Sequence, residues 1–137
     1  MPIPNFNLDG FLPKGVHPCN EKEFLSRFGC SSHRRRLVQD GLMRVTRYLA
    51  RKGIKTIFIG GSMVTVKESP RDIDAFVIIP LKDPLFFEIL MYREQWKRLY
   101  VVDLLPAQPV GKGEITEEGL KSFFSGNGQR GLIKLLL

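Results

Sequence analysis

Asp72 and Asp74 are separated by a single residue within the run Asp72-Ile73-Asp74-Ala75-Phe76-Val77-Ile78-Ile79. Side chains alternate along a strand, so the two carboxylates fall on one face, with Cα atoms about 6 to 7 Å apart, while Ile73 and Ala75 take the other. Two ionised carboxylates so placed repel each other, and a bound cation removes that cost. Asp103 sits in a second strand-like run, Tyr100-Val101-Val102-Asp103-Leu104-Leu105. If the two strands are neighbours, Asp103 joins the pair as a third oxygen donor, a set that suits Mg²⁺ or Mn²⁺ better than zinc. Upstream, Thr56-Ile57-Phe58-Ile59 runs into Gly60-Gly61-Ser62, a strand entering a tight turn. Backbone N–H groups of such a turn, with the Ser62 hydroxyl, are suited to holding a phosphate. Lys67, Arg71 and Arg130 are candidate phosphate clamps, although each also reads as ordinary surface charge. The spacing to Lys67 is not that of a Walker loop. Each feature has a plainer reading too: Asp72 after Pro70-Arg71 merely ending a turn, and Gly60-Gly61 merely permitting one.

The elements that must position these residues follow from local signals. The opening through about Asn20 is rich in Pro, Gly and Asn and reads as an irregular arm. Asn20 with Glu23 forms a capping box that starts a short helix over Glu21 to Arg27. Ser31 or Ser32 caps a longer helix to about Arg51, with Gly53 as its stop. At 100° per residue Val38, Leu42, Val45 and Leu49 share one face of it, and Arg36, Asp40, Arg44, Arg47 and Arg51 lie nearly opposite. That basic face is a candidate docking surface, although such faces are usually just solvated. Asp83-Pro84 starts another helix to about Arg98. Thr116 caps a short helix through Phe124, and Gly131 to Leu137 forms a last strand after the Gly126-Asn127-Gly128 turn. The order implies an α/β arrangement, a small mixed sheet flanked by helices, in one domain spanning residues 1–137.

The bulk numbers narrow the classes. A chain of 137 residues buries one core and so accommodates one site. The 21 Lys and Arg against 14 Asp and Glu give a formal charge of +7, which favours an anionic partner such as a nucleic acid or a nucleoside triphosphate. Cys19 and Cys30, with only His17 and His33, lack the spacing of a structural zinc site and read as reduced thiols of a cytoplasmic protein. No run approaches the ~20 apolar residues that span a bilayer, so neither membrane insertion nor secretion is expected.

Taken together, Gly61-Ser62, a gap of nine residues and then Asp72-Ile73-Asp74 resemble the Gly-Ser…Asp-x-Asp signature of the DNA polymerase β-like nucleotidyltransferase superfamily. Val102-Asp103-Leu104 resembles the strand carrying that superfamily's third carboxylate. The whole chain is similar to small bacterial and phage nucleotidyltransferase-like proteins, through the Asn5-to-Gly10 opening, Gly60 to Lys67, Phe123-Phe124 and Arg130-Gly131. The resemblance implies a minimal form of that fold. Asp72, Asp74 and Asp103 would be catalytic and hold Mg²⁺ or Mn²⁺, and Gly60, Gly61, Ser62 and Lys67 would bind the nucleotide. It further implies transfer of a nucleoside monophosphate from an NTP to an acceptor hydroxyl on RNA, a protein or a small molecule, in a toxin–antitoxin or phage-related setting. The competing reading is a binding module that keeps the fold, has little or no turnover, and takes a nucleic acid or protein partner. The Asp-x-Asp pair of nucleotide-sugar glycosyltransferases is a weaker match, because those catalytic domains are longer and lack the upstream Gly-Ser.

Overall fold

Two hydrophobic periods, one of two residues in the strands and one helical, assemble a single sheet with helices packed on it. The computed structural model describes residues 3–29, 32–65, 71–108 and 131–137, with the backbone alone at Ser62. Its strands and α-helices run β1 (Val16–Asn20), α1 (Glu21–Phe24), α2 (His33–Arg51), β2 (Thr56–Gly60), β3 (Ile73–Ile78), α3 (Pro84–Tyr100), β4 (Val102–Ala107) and β5 (Leu132–Leu136). The strands form a five-stranded sheet in the order β1-β5-β2-β3-β4. β2 is antiparallel to β3 and β5, whereas β1–β5 and β3–β4 are parallel pairs. The chain thus has the α/β architecture expected of it, a mixed sheet flanked by helices. Among the described residues no helix is long and apolar enough to cross a membrane.

The apolar stripe of α2 carries the packing. Val38, Leu42, Val45 and Leu49 are all buried against the sheet's inner face, where Ile59, Ile73 and Ala75 meet them in the main core. Burying four such side chains contributes roughly 6 to 12 kcal/mol before chain entropy is subtracted. The opposite face of the sheet holds a second cluster, Phe58, Phe76 and Leu132, in which the two phenylalanine rings stack 4.9 Å apart. Helix α2 is capped by Ser32, whose side chain accepts from the Arg35 N–H at 3.1 Å. Beyond its end Gly53 adopts φ 90, as a helix stop requires. Where α2 crosses α3, Gly41 lets the backbones touch, since a Cβ there would stand 1.9 Å from the Tyr100 carbonyl oxygen.

Three local expectations are corrected. The arm is irregular only as far as Gly15; Val16–Asn20 forms edge strand β1, parallel to β5. A proline at position 18 is tolerated there because an edge strand pairs on one side only. The helix after Asn20 has its capping box, with Glu23 N–H donating to Asn20 Oδ1 at 2.8 Å and Asn20 N–H to Glu23 Oε1 at 3.2 Å. It widens at Leu25–Gly29 into a π-helical turn that sets Phe24 and Phe28 in the core, rings 5.1 Å apart. Finally, Tyr100 ends α3 and does not begin β4. Val101 makes the reversal in the left-handed region at φ 59, and β4 continues through Pro106, again on an edge strand. The expected helix from Thr116 to Phe124 and the Gly126-Asn127-Gly128 turn lie outside the described residues.

Candidate functional site

Strand register brings the predicted residues together. The parallel pairing of β3 with β4 sets Asp74 beside Asp103, and the antiparallel pairing of β2 with β3 sets Gly60 on the other flank of Asp74. Gly60, Asp74 and Asp103 therefore form a row across three neighbouring strands, spaced about 4.8 Å apart. Ile73 and Ala75 belong to the main core, so alternation turns Asp74 to the sheet's other face, with Asp72 on the same side just before β3. Beyond Gly60 the chain turns sharply: Gly61 takes φ 75, and Ser62–Val64 forms a 3₁₀ turn. A Cβ on Gly61 would stand 2.6 Å from Asp74 Oδ2. Glycine is thus required there twice, by the backbone angle and by the carboxylate packed beneath it.

The electrostatics of the row are uneven. Burial, then the charges of Asp72 and Asp103, push the Asp74 carboxyl up to about 6, with Lys97 working the other way. Asp103 is engaged by two cations of α3. Arg93 Nε donates to Oδ1 at 2.9 Å and Nη2 to Oδ2 at 3.5 Å, while Lys97 Nζ stands 3.8 Å from Oδ2. The hydrogen bond to Asp103 in turn holds the Arg93 guanidinium above its ordinary value. Among the described residues no three His, Cys, Asp or Glu side chains are gathered into a closed metal-holding set. The carboxylates form a row on one face, kept apart by their own repulsion and by the pull of Arg93 and Lys97 on Asp103. In chemical type the donors fit a hard divalent cation. All are carboxylate oxygens, and Asp74, raised first by burial and then by the Asp72 and Asp103 charges, is a carboxylate whose charged form a cation would favour.

Two further residues, absent from the sequence reading, hold the segment between the glycine turn and the first carboxylate. Arg35 is only 3% exposed; its Nη1 donates to the carbonyls of Phe28 (2.9 Å) and Met63 (2.8 Å), and its Nη2 donates to that of Thr65 (2.5 Å). Arg34 Nη2 donates to the carbonyl of Arg71, the residue before Asp72. Consecutive arginines of one helix turn therefore anchor the exit of the glycine turn and the entry to β3. Two signals pointed to them. Arg34-Arg35-Arg36 puts three cations in the first turn of a helix, where the macrodipole disfavours positive charge, and no acidic residue offsets them. Arg35 also stands seven residues before Leu42, on the apolar stripe. Arg93 and Lys97 were likewise missed; their signal was an i, i+4 cation pair on the helix leading directly into the Asp103 strand. Of the other expected phosphate ligands, Arg71 is exposed, and Lys67 and Arg130 lie outside the described residues.

The fold and site together define an α/β domain with a carboxylate row beside a glycine turn. The chain belongs to DUF6932, a family of unknown function, whose family model matches residues 4–136. No curated protein and no solved structure matches the chain significantly.

Proposed function

We propose that this protein is a metal-dependent nucleotidyltransferase of the polymerase β-like kind, moving a nucleoside monophosphate from an NTP to an acceptor hydroxyl. The observation that carries the reading is the register row: Asp74 flanked by Asp103 on one side and by the Gly60-Gly61 turn on the other. Carboxylates and the glycine turn are thereby neighbours in the sheet, and backbone N–H groups at such a turn suit a phosphate. Mg²⁺ or Mn²⁺ held by Asp72 and Asp74, and by Asp103 once it is released from Arg93, would supply charge neutralisation for the leaving pyrophosphate.

The chain's own groups do the rest. The backbone of the Gly61 turn receives the β and γ phosphates, with Arg34 and Arg35 holding that turn in place through carbonyls on either side. Arg93 and Lys97, freed as Asp103 moves, set two positive charges against the triphosphate. The acceptor oxygen attacks the α phosphorus, its proton passes to Asp103, and the bond to the β phosphate breaks with its electron pair leaving on pyrophosphate. The test is an acceptor screen with the four α-labelled NTPs, against RNA, the protein itself and small alcohols, with Mg²⁺ or Mn²⁺. Label transfer by the wild type and none by Asp74→Asn supports the reading; identical behaviour of the two proteins refutes it. A γ-labelled NTP delivering its label would instead assign phosphoryl transfer.

A further inference from the structure

A groove of about 310 Å³ lies between α2 and α3, is lined by none of the carboxylates of the row, and joins arginines to aromatic side chains. Its rim is Arg44, Arg47 and Arg51, all exposed on one strip of α2 and spread over about 10 Å of helix axis. Among the described residues none of the three has an ion-pair partner. Its floor is aromatic: half-buried Tyr48 from α2 and Tyr100 from α3, with Trp96, a core residue only 7% exposed, beside them. Tyr48 and Trp96 meet edge to face at 5.2 Å, and Tyr92 stacks on Trp96 at 5.6 Å. Glu88, the nearby acid, is already compensated, since it accepts from the Tyr48 hydroxyl and pairs with Lys52 Nζ at 3.7 Å. That contact also fixes the orientation of the Tyr48 ring.

We infer that this groove binds single-stranded nucleic acid, with phosphates along the arginine rim and a base against the aromatic floor. A row of uncompensated guanidiniums attracts any polyanion, but an aromatic floor adds a stacking surface that only a base uses well. The volume takes one nucleotide unit with its base unpaired, which a duplex does not offer. Tyr100 and Arg93 are seven residues apart and so lie within about 20° of each other on α3. A strand leaving the groove therefore follows the helix that holds Asp103. The inference goes beyond the transferase reading and holds whether or not the carboxylates turn over.

The test is fluorescence anisotropy with a labelled uridine oligonucleotide of about 12 residues, read together with the emission of Trp96, the chain's one tryptophan. The wild type binds with quenching of Trp96, and its log affinity falls with log salt at a slope near −2, about 0.7 for each of three phosphates. Arg44→Gln/Arg47→Gln/Arg51→Gln, with circular dichroism showing an intact fold, binds at least tenfold more weakly and with a slope near zero. Binding is read with a chelator present, apart from any metal-dependent transfer, so a failure of the transferase reading leaves this result untouched. No binding at about 50 mM salt overturns the inference. So does a triple variant with wild-type affinity, a duplex of equal length binding more tightly, or polyglutamate quenching Trp96 equally well.

Discussion

Replacing Asp74 by Asn should stabilise the metal-free protein at neutral pH, by an amount that the position of the carboxyl sets. Burial and the neighbouring Asp72 and Asp103 charges raise this group from 3.8 to about 6. The folded state therefore binds the proton more tightly than the unfolded chain does. Stability from Asp74 is fully present below pH 3.8 and is lost as pH rises through 6. Two units correspond to about 3 kcal/mol. Asp74 is half-buried and partly screened by water, which lowers this to about 2 kcal/mol. Asn keeps the shape and carries no charge, so the variant avoids the whole penalty.

Thermal or urea unfolding of both proteins from pH 3.5 to 8, in the presence of a chelator, measures the difference. At pH 7.5 the variant should melt about 6 to 10 °C higher for a chain of this size. The gap should shrink through pH 6 and close near pH 4. Because the same carboxyl is proposed to meet a cation, Mg²⁺ should raise the wild-type Tm more than that of Asp74→Asn. A variant no more stable than the wild type at pH 7.5, or a gap that does not change with pH, would show that Asp74 is not held against the charges beside it.

Substitutions at three further positions probe the supports. Gly61→Ala places a side chain at φ 75 and 2.6 Å from Asp74 Oδ2, and should cost about 1 to 2 kcal/mol in urea unfolding while suppressing any transfer activity. Arg35→Met leaves the carbonyls of Phe28, Met63 and Thr65 without their donor and should cost about 2 to 4 kcal/mol. Arg35→Lys recovers only part of this, since one ammonium does not reproduce the guanidinium fork. Gly41→Ala sets a Cβ against the Tyr100 backbone, which no rotamer change relieves, and should lower stability by about 1 to 3 kcal/mol and red-shift Trp96 emission. An unchanged melting temperature in any of the three contradicts the contact it tests.

Most strands and the Asp72–Asp74 pair were legible because each rests on a short-range rule, whereas the place of Asp103 depended on the pairing of β3 with β4. Alternation put Asp72 and Asp74 opposite Ile73 and Ala75, and apolar runs marked β2, β3 and β5. Less legible was anything decided by a partner distant in sequence. β1 exists because β5 offers it an edge more than a hundred residues later, a pairing that Val16 to Asn20 do not announce. The end of α3 was misplaced because Val101 makes the turn in a left-handed conformation, which β-branched residues rarely adopt. Arg35 was not singled out among the arginines of α2, although it is buried. Its partners are backbone carbonyls, which carry no sequence signal at all.

Helix α2 ties these observations into one arrangement. Its apolar stripe fixes it to the sheet, so the arginines of its first turn reach the two ends of the segment joining the glycine turn to Asp72. Its later turns present the arginine rim of the groove. Gly41, between the two, admits α3 at backbone distance, and α3 carries both the aromatic floor and the cations on Asp103. The crossing of two helices thus sets the distance from groove to carboxylates, although neither helix supplies a carboxylate of the row. A rigid link of that kind is what the two proposals, a nucleic acid in the groove and transfer at the carboxylates, would require together. In the first turn of α2, Arg34 and Arg35 are therefore structural, spent on backbone carbonyls, whereas Arg36 and the later rim arginines face solvent.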